Sequence, residues 1–291
     1  MIAHVAAADE RSGRVVLWHG GSASVSRIAI DAAMLLAQSF QAEVESLYVE
    51  DTQLFDLAAF PFARVIGASG GSWRALPHET LEREMRFAAA AFHRQVAEVG
   101  SDASVPCRSR IVRDEPLRAV SRACAENGPW NLVVLGEPLT PSDGPRLAQL
   151  FERVRDTTGA VITGPLGRRS QGSVVAVVED FQRLGPMLRA AQRLAPACGG
   201  DVKLTLVGDR RDELSWMEGE ARLLCATRSE DDVIAFESVL AANDDPAPLA
   251  AVLQRYKPGF ALAQYGGRLV ATGASLRPLT AALECPLLLV R

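Results

Sequence analysis

Short aliphatic runs alternate with helical patterns along the whole chain, and this alternation constrains the fold more than any other feature. The runs at 14–18, 131–135, 173–178 and 286–290 are rich in Val and Leu and lack regular polar alternation, which is typical of strands buried on both faces of a parallel sheet. Between such runs, apolar residues recur at helical spacing. Strands that alternate with helices predict parallel sheets with helices on both faces.

One segment, 164–172 (Gly-Pro-Leu-Gly-Arg-Arg-Ser-Gln-Gly), interrupts this rhythm with turn-forming residues, and the rhythm then restarts. A chain of 291 residues is long enough for two domains. We therefore predict an α/β protein of two tandem doubly wound domains, 1–168 and 169–291. Each is expected to have about five parallel strands in flavodoxin-like order. The first carries an insert at 52–77, and Ser22 or Ser24 is expected to cap its first helix.

Composition excludes several classes of function. The net charge of −4 and the absence of a basic cluster argue against nucleic-acid binding. The five cysteines are scattered without a C-x-x-C pair, so no metal site is predicted, and reduced thiols suit a cytoplasmic protein. Neither a signal peptide nor a long apolar run is seen, so no membrane association is expected.

Several stretches together carry a family resemblance. Residues 15–22 (Val-Val-Leu-Trp-His-Gly-Gly-Ser) and 174–180 (Val-Val-Ala-Val-Val-Glu-Asp) look like opening strands followed by turns. Residues 132–136 (Leu-Val-Val-Leu-Gly) resemble a fourth strand with its glycine, and 284–291 (Glu-Cys-Pro-Leu-Leu-Leu-Val-Arg) a closing strand. In this order they resemble the universal stress protein family, in its tandem two-domain form, over almost the whole chain.

The resemblance implies a place for ATP, the loop G-x-x-G-x9-G-[S/T], whose backbone N–H groups approach the phosphates. In the first domain Gly136 matches the first glycine. The second glycine falls on Leu139, between two prolines that have no N–H to offer, and the helix-start pair falls on Ala148-Gln149. This loop is therefore degenerate.

The second domain keeps more of the motif. The helix-start glycine falls on Gly273, the hydroxyl position on Ala274, and Ser275 comes one residue later, although Gly267 lies too close for the family's loop. The family's acidic residue falls on His19 in the first domain and on Glu179 or Asp180 in the second. The candidate nucleotide-contacting residues are Glu179, Asp180, Gly267, Gly273, Ala274, Ser275, His19 and Gly136.

Each polar candidate also has a structural interpretation. His19 either holds an anion or transfers protons at a strand end, or is a turn histidine that caps a helix or bonds solvent, and we favour the turn. Glu179-Asp180 either bind a ribose or cation, or form an acidic turn that begins a helix. Arg268 either binds phosphate or pairs with a surface carboxylate. Cys285 is interpreted as a packing thiol.

The insert concentrates apolar residues between regular elements, namely Leu54, Phe55, Leu57, Phe60 and Phe62. Such a segment either covers its own core or cleft, as a lid above His19, or presents a surface to a partner. We favour the covering role.

The resulting expectation is a non-catalytic stress-response or regulatory protein that binds a small ligand or a partner protein, with no catalytic residue, metal or cofactor. The first alternative is an ATP- or AMP-binding member that uses the second domain. The second is a weak nucleotide hydrolase, for which no base and nucleophile pair is visible. The resemblance also implies that the closing strands, 160–163 and 286–290, can pair as an intramolecular pseudo-dimer, and a homodimer is a further possible assembly.

Overall fold

The computed structural model describes residues 13–20, 25–66, 73–75, 77–126, 130–226, 234–241 and 245–291. Ser22 and Ser24 lie outside the described residues, as do 67–72 and 76 of the insert. The first half of the chain contains β1 (Arg14–His19), α1 (Arg27–Phe40), β2 (Glu43–Asp51), α2 (Thr52–Ala58), β3 (Arg64–Val65), β4 (Arg74–Ala75), α3 (His78–Asp102), β5 (Cys107–Asp114), α4 (Pro116–Ala125), β6 (Asn131–Leu135), α5 (Gly144–Arg153) and β7 (Gly159–Ile162). The second half contains β8 (Val174–Val178), α6 (Phe181–Cys198), β9 (Val202–Gly208), α7 (Arg211–Ala226), β10 (Ala235–Leu240), α8 (Ala247–Tyr256), β11 (Phe260–Gln264), α9 (Arg277–Ala282) and β12 (Leu287–Val290).

The described strands form a 10-stranded sheet in the order β10-β9-β8-β11-β12-β7-β6-β1-β2-β5, beside the small β3-β4 hairpin. All neighbours in the large sheet are parallel except β7 and β12, which are antiparallel, with Gly159 opposite Val290 and Ile162 opposite Leu287. The closing strands therefore pair across the middle of the molecule, as the resemblance implies. The boundary at 168/169 falls between β7 and β8 and stays a prediction.

The α/β class with five strands in each half is confirmed, but the strand order differs from the flavodoxin-like one. Counting only strands of the large sheet, each half has the order third, second, first, fourth, fifth. In the flavodoxin order the first strand lies between the second and the third. In this protein the second and third strands of each half lie on one side of the first strand, and the fourth and fifth lie on its other side.

Helices cover both faces of the sheet and create two apolar layers. Val15 and Leu17 of β1 point into one layer, with α1, α3, α6 and α7, and Val16 and Trp18 point into the other, with α4, α5, α8 and α9. Every residue of β1 and β8 is buried. Burial on both faces explains why these strands are aliphatic without alternation.

Side chains reinforce the junction between the halves. The ring of Tyr265 stacks on that of Phe151 with centroids 3.9 Å apart. The Arg291 guanidinium donates to the carbonyl oxygens of Phe151, Val154 and Arg155 at the end of α5, where a cation complements the helix dipole.

The insert leaves most of its apolar side chains in solvent. Phe55 is buried beneath the Arg113 guanidinium, 4.0 Å from its ring centroid. In contrast, Leu54, Leu57, Phe60 and Phe62 are 38%, 51%, 53% and 76% exposed. The expected covering role is therefore wrong for these side chains. Among the residues that the structure describes, every helix is too short or too polar to span a lipid bilayer.

Candidate functional site

A crevice is expected wherever the strand order of an open parallel sheet reverses, at the carboxyl ends of the strands. The order reverses between β1 and β6 in the first half and between β8 and β11 in the second. Because β7 and β12 are antiparallel, the carboxyl ends of the two halves lie at opposite edges of the sheet. The sequence candidates must therefore be considered as two separate groups.

In the first crevice, the backbone of Gly136 is bound to the protein. Its N–H donates to the carbonyl of Trp18 (2.8 Å), and its carbonyl accepts from the N–H of Ser26 (2.8 Å). A β-carbon at Gly136 would lie 2.9 Å from the Trp18 oxygen. The close approach of β1 thus explains this glycine without a phosphate.

The rest of the first loop is also anchored. Leu139 is buried, and its N–H donates to the Thr163 carbonyl (2.6 Å). The Asp143 carboxylate accepts from the N–H of Thr140 (2.6 Å). The pair Ala148-Gln149 lies inside α5, which begins at Gly144, rather than at a helix start.

His19 ends β1 and is only 3% exposed. Its ring centroid lies 5.6 Å from that of Tyr48 and 5.2 Å from that of Phe92. Burial lowers the pKa of His19 and outweighs the opposing effect of the Glu137 carboxylate. His19 is thus a buried strand-end residue, and its interpretation as a solvent-bonding turn residue is wrong. The rings that cover it come from β2 and α3, not from the insert.

Sequence reasoning missed two charged residues beside His19. Oε1 of Glu137 lies 3.8 Å from Nδ1 of His19, and its Oε2 lies 3.3 Å from Nη1 of Arg146. The Arg146 guanidinium stands over the Trp18 ring, 4.8 Å from its centroid. An acid directly after the strand-end glycine is the signal that could have found Glu137.

In the second crevice, the Glu179 carboxylate lies inside the loop that follows β11. Glu179 is 7% exposed, and its Oε2 accepts from the backbone N–H groups of Arg268 and Leu269. A β-carbon at Gly267 would lie 2.6 Å from the same oxygen. Burial raises the pKa of Glu179, against the opposing effects of the two N–H groups and the guanidinium groups of Arg268 and Arg183.

Two neighbouring charged residues have structural partners. Asp180 caps α6, since its carboxylate accepts from the N–H of Gln182 (2.9 Å), as the acidic-turn interpretation predicts. The Arg268 guanidinium pairs with the carboxylates of Asp209 (3.1 Å) and Glu213 (3.5 Å). The surface-pair interpretation of Arg268 therefore holds.

Gly273 and Ala274 lie beside the first half of the chain. Gly273 has a φ of +80°, and a β-carbon at Gly144, the first residue of α5, would lie 2.9 Å from the Ala274 carbonyl oxygen. Ser275 is exposed. The structure thus brings Gly267 to Glu179 but places Gly273 and Ala274 against the start of α5.

His19 and Glu179 also lie on different faces of the sheet. His19 contacts Tyr48 and Phe92 in one apolar layer, whereas Glu179 is held by Leu269, which belongs to the other. The two residues are therefore not equivalent positions of the repeat, because a shift of one residue along a strand reverses the side chain's face.

Metal and thiol chemistry have little support within the described parts of the chain. No group of three or more His, Cys, Asp or Glu residues there is placed to hold a metal ion. Cys285 is buried, and burial raises its pKa to about 12. A thiol in that environment stays protonated and packs as a small apolar group.

Comparisons with known proteins show similarity of structure only. No protein-family model and no curated protein matches the sequence. A universal stress protein from Archaeoglobus fulgidus is 14% identical, with a TM-score of 0.59 over 96% of this chain and 98% of that one. A Pseudomonas aeruginosa protein described as a universal stress protein is also 14% identical, with a TM-score of 0.57 over 99% and 94% of the two chains.

A third structure, the cytoplasmic domain of a prokaryotic cation chloride cotransporter, is 10% identical, with a TM-score of 0.56 over 96% of this chain and 95% of that one. Identities this low show the architecture and not the activity. On the strand order, the parallel halves and these matches, the chain has the fold of the universal stress proteins.

Proposed function

We propose that this chain is a non-catalytic regulatory protein of the universal stress protein type that acts in stress responses without a nucleotide. One observation carries the proposal: four of the N–H groups in these loops are bound by the protein itself. Gly136 and Leu139 donate to backbone carbonyls in the first half, and Arg268 and Leu269 donate to Glu179 in the second. Phosphate binding at such loops needs these N–H groups free to converge on the ligand.

The surroundings of His19 support the non-catalytic part of the proposal. Activation of a nucleophile needs a base within hydrogen-bond reach of a hydroxyl or thiol. Among the described residues, the His19 ring has the Glu137 carboxylate 3.8 Å from its Nδ1 and packs against the rings of Tyr48 and Phe92. This arrangement favours a structural or binding role over nucleotide hydrolysis.

The insert favours a partner protein over a small ligand. Leu57, Phe60, Phe62 and Trp73 are between 51% and 76% exposed. Exposed aromatic side chains grouped in one segment are typical of protein-binding surfaces. The cotransporter domain shows that this fold also occurs as part of a larger protein, although a fold alone does not specify a function.

The alternative is a protein that binds ATP or AMP in its second half, where the site of a β-carbon on Gly273 is open. Thermal unfolding of the purified protein separates the two proposals. We expect the same melting temperature with and without millimolar ATP, ADP or AMP, in buffers of matched ionic strength. A ligand at about 100 times its dissociation constant stabilises the folded state by about 2.7 kcal/mol, so a clear upward shift with any nucleotide contradicts our proposal.

A further inference from the structure

The second crevice contains an anion that belongs to the protein. The Glu179 side chain ends where the N–H groups of Arg268 and Leu269 converge, and Gly267 beside it leaves room for the carboxylate only because it has no β-carbon. Consecutive backbone N–H groups that point to one place form a concave site for anions. The loop at 267–269 therefore has an anion site, and Glu179 occupies it.

Stability alone does not account for Glu179. The side chain is 7% exposed, and its Oε1 has no hydrogen-bond partner among the described residues. A buried polar atom without a partner costs free energy. Burial also raises the pKa of Glu179, against the opposing effect of the two N–H bonds. Buried groups that are costly to keep are often retained for a function.

We propose that Glu179 is an intramolecular latch, whose carboxylate occupies the oxyanion site of the 267–269 loop and must leave before an external oxyanion can bind. Carboxylate and phosphoryl oxygens accept the same N–H groups, so both classes of oxyanion compete for one place. This inference rests on the proposed function, in which the loops of the resting protein are occupied by its own groups.

Two guanidinium groups act on the position that Glu179 occupies. The Arg268 guanidinium is carried by the loop itself and is now paired with Asp209 and Glu213. Arg183, on α6, is the second cation whose charge acts on Glu179. Departure of the Glu179 carboxylate removes one negative charge beside the two N–H groups, while Arg268 stays paired with its carboxylates and Arg183 donates to the Arg291 carbonyl.

Replacement of Glu179 tests the latch directly. Inorganic pyrophosphate is titrated into the wild type, Glu179→Ala and Asp180→Ala, with binding followed by the amide NMR shifts of Arg268 and Leu269. Asp180 is the matched control because it is the adjacent carboxylate and caps α6 instead. We expect Glu179→Ala to bind pyrophosphate at least about tenfold more tightly than the wild type, a difference of about 1.4 kcal/mol. Asp180→Ala should behave as the wild type.

The latch is contradicted if folded Glu179→Ala binds pyrophosphate no more tightly than the wild type. It is also contradicted if pyrophosphate changes amide NMR shifts only outside the 267–269 loop. Should the alanine variant fail to fold, Glu179→Ser decides, because serine keeps a polar side chain that is too short to reach the loop N–H groups; it must then bind pyrophosphate more tightly than the wild type. The two proposals fail differently. Nucleotide binding by the wild type contradicts the proposed function, whereas a variant that gains nothing contradicts only the latch.

Discussion

His19 and Glu179 are ionisable side chains buried at the ends of β1 and β8, and burial moves their pKa values in opposite directions. Burial disfavours the charged form, so it lowers the pKa of an imidazole and raises that of a carboxyl. The stability due to His19 is therefore present above its ordinary pKa of 6.5 and lost as the pH falls. The stability due to Glu179 is present below its ordinary pKa of 4.5 and lost as the pH rises.

We predict that the free energy of unfolding of His19→Phe falls less steeply than that of the wild type as the pH decreases. The unfolded chain takes up a proton near pH 6.5, whereas the folded protein does not, so the wild-type free energy of unfolding should fall as the pH decreases. Urea unfolding of both proteins between about pH 7.5 and pH 5.5 measures the difference.

Glu179 is present in both the wild type and His19→Phe, so comparing the two proteins at each pH removes its opposite contribution to the free energy of unfolding. Burial also lowers the pKa of His93, so the variant should keep part of the slope. Equal slopes for the two proteins would show that His19 is protonated as readily when folded as when unfolded.

The sequence could identify Glu179 as a special residue but not its partner. The sequence shows an acid at the end of an aliphatic strand. The residues that contact this acid, Arg268 and Leu269, lie 89 and 90 positions further along the chain, so the contact cannot be read from the sequence. The resemblance assigns Gly136 to a phosphate, yet the structure explains it by the approach of Trp18. The resemblance also places one family position on His19 and on Glu179 or Asp180, and similarity at strand ends does not define which face a side chain occupies.

At the scale of elements, the antiparallel pair of β7 and β12 depends on a close approach of two backbones. Gly159 lies opposite Val290, and a β-carbon at Gly159 would lie 2.5 Å from the carbonyl oxygen of Leu289. A backbone oxygen within the sheet cannot rotate away as a side chain can. The junction between the halves therefore requires glycine at this position.

We predict that Gly159→Ala lowers the free energy of unfolding by about 1–3 kcal/mol, the usual cost of overpacking. Gly219→Ala is the matched control, because Gly219 lies in α7 with nothing within 4 Å of its added β-carbon. Alanine in a helix interior is favoured over glycine, so this variant should gain about 0.5–1 kcal/mol. Urea unfolding that moves both variants in the same direction contradicts the role assigned to Gly159.

Most elements could be predicted from sequence, and their arrangement could not. The run 14–18 falls within β1, and the run 131–135 coincides with β6. Strand order was wrong because crossover helices of similar length suit both orders. The helix start expected at Ala148 lies inside α5, since Pro145 can occupy the first turn of a helix.

At the scale of the whole molecule, the exposed part of the insert is the surface that we propose for a partner protein. Leu57, Phe60 and Phe62 are more than half exposed, whereas Phe55 in the same segment is buried. The segment is therefore anchored by one aromatic ring and presents these three large apolar side chains to solvent. These two groups of residues have separable roles.

We predict that replacing Leu57, Phe60 and Phe62 together with serine abolishes partner capture while the melting temperature stays close to that of the wild type, because exposed substitutions cost about 0.5 kcal/mol or less each. Phe55→Ala should instead lower stability by about 3–5 kcal/mol. Quantitative mass spectrometry of proteins co-purified with each tagged variant, beside thermal unfolding, makes the comparison. An unchanged set of co-purified proteins in the serine variant excludes the insert as the binding surface.

The single antiparallel pair in the middle of the sheet also sets the directions from which this molecule can be approached. Since the strands of the two halves run in opposite senses, the cluster of His19, Glu137 and Arg146 opens on one edge of the sheet and the Glu179 loop on the other. The two crevices therefore face in opposite directions along the strands, and each is reached from its own side of the molecule.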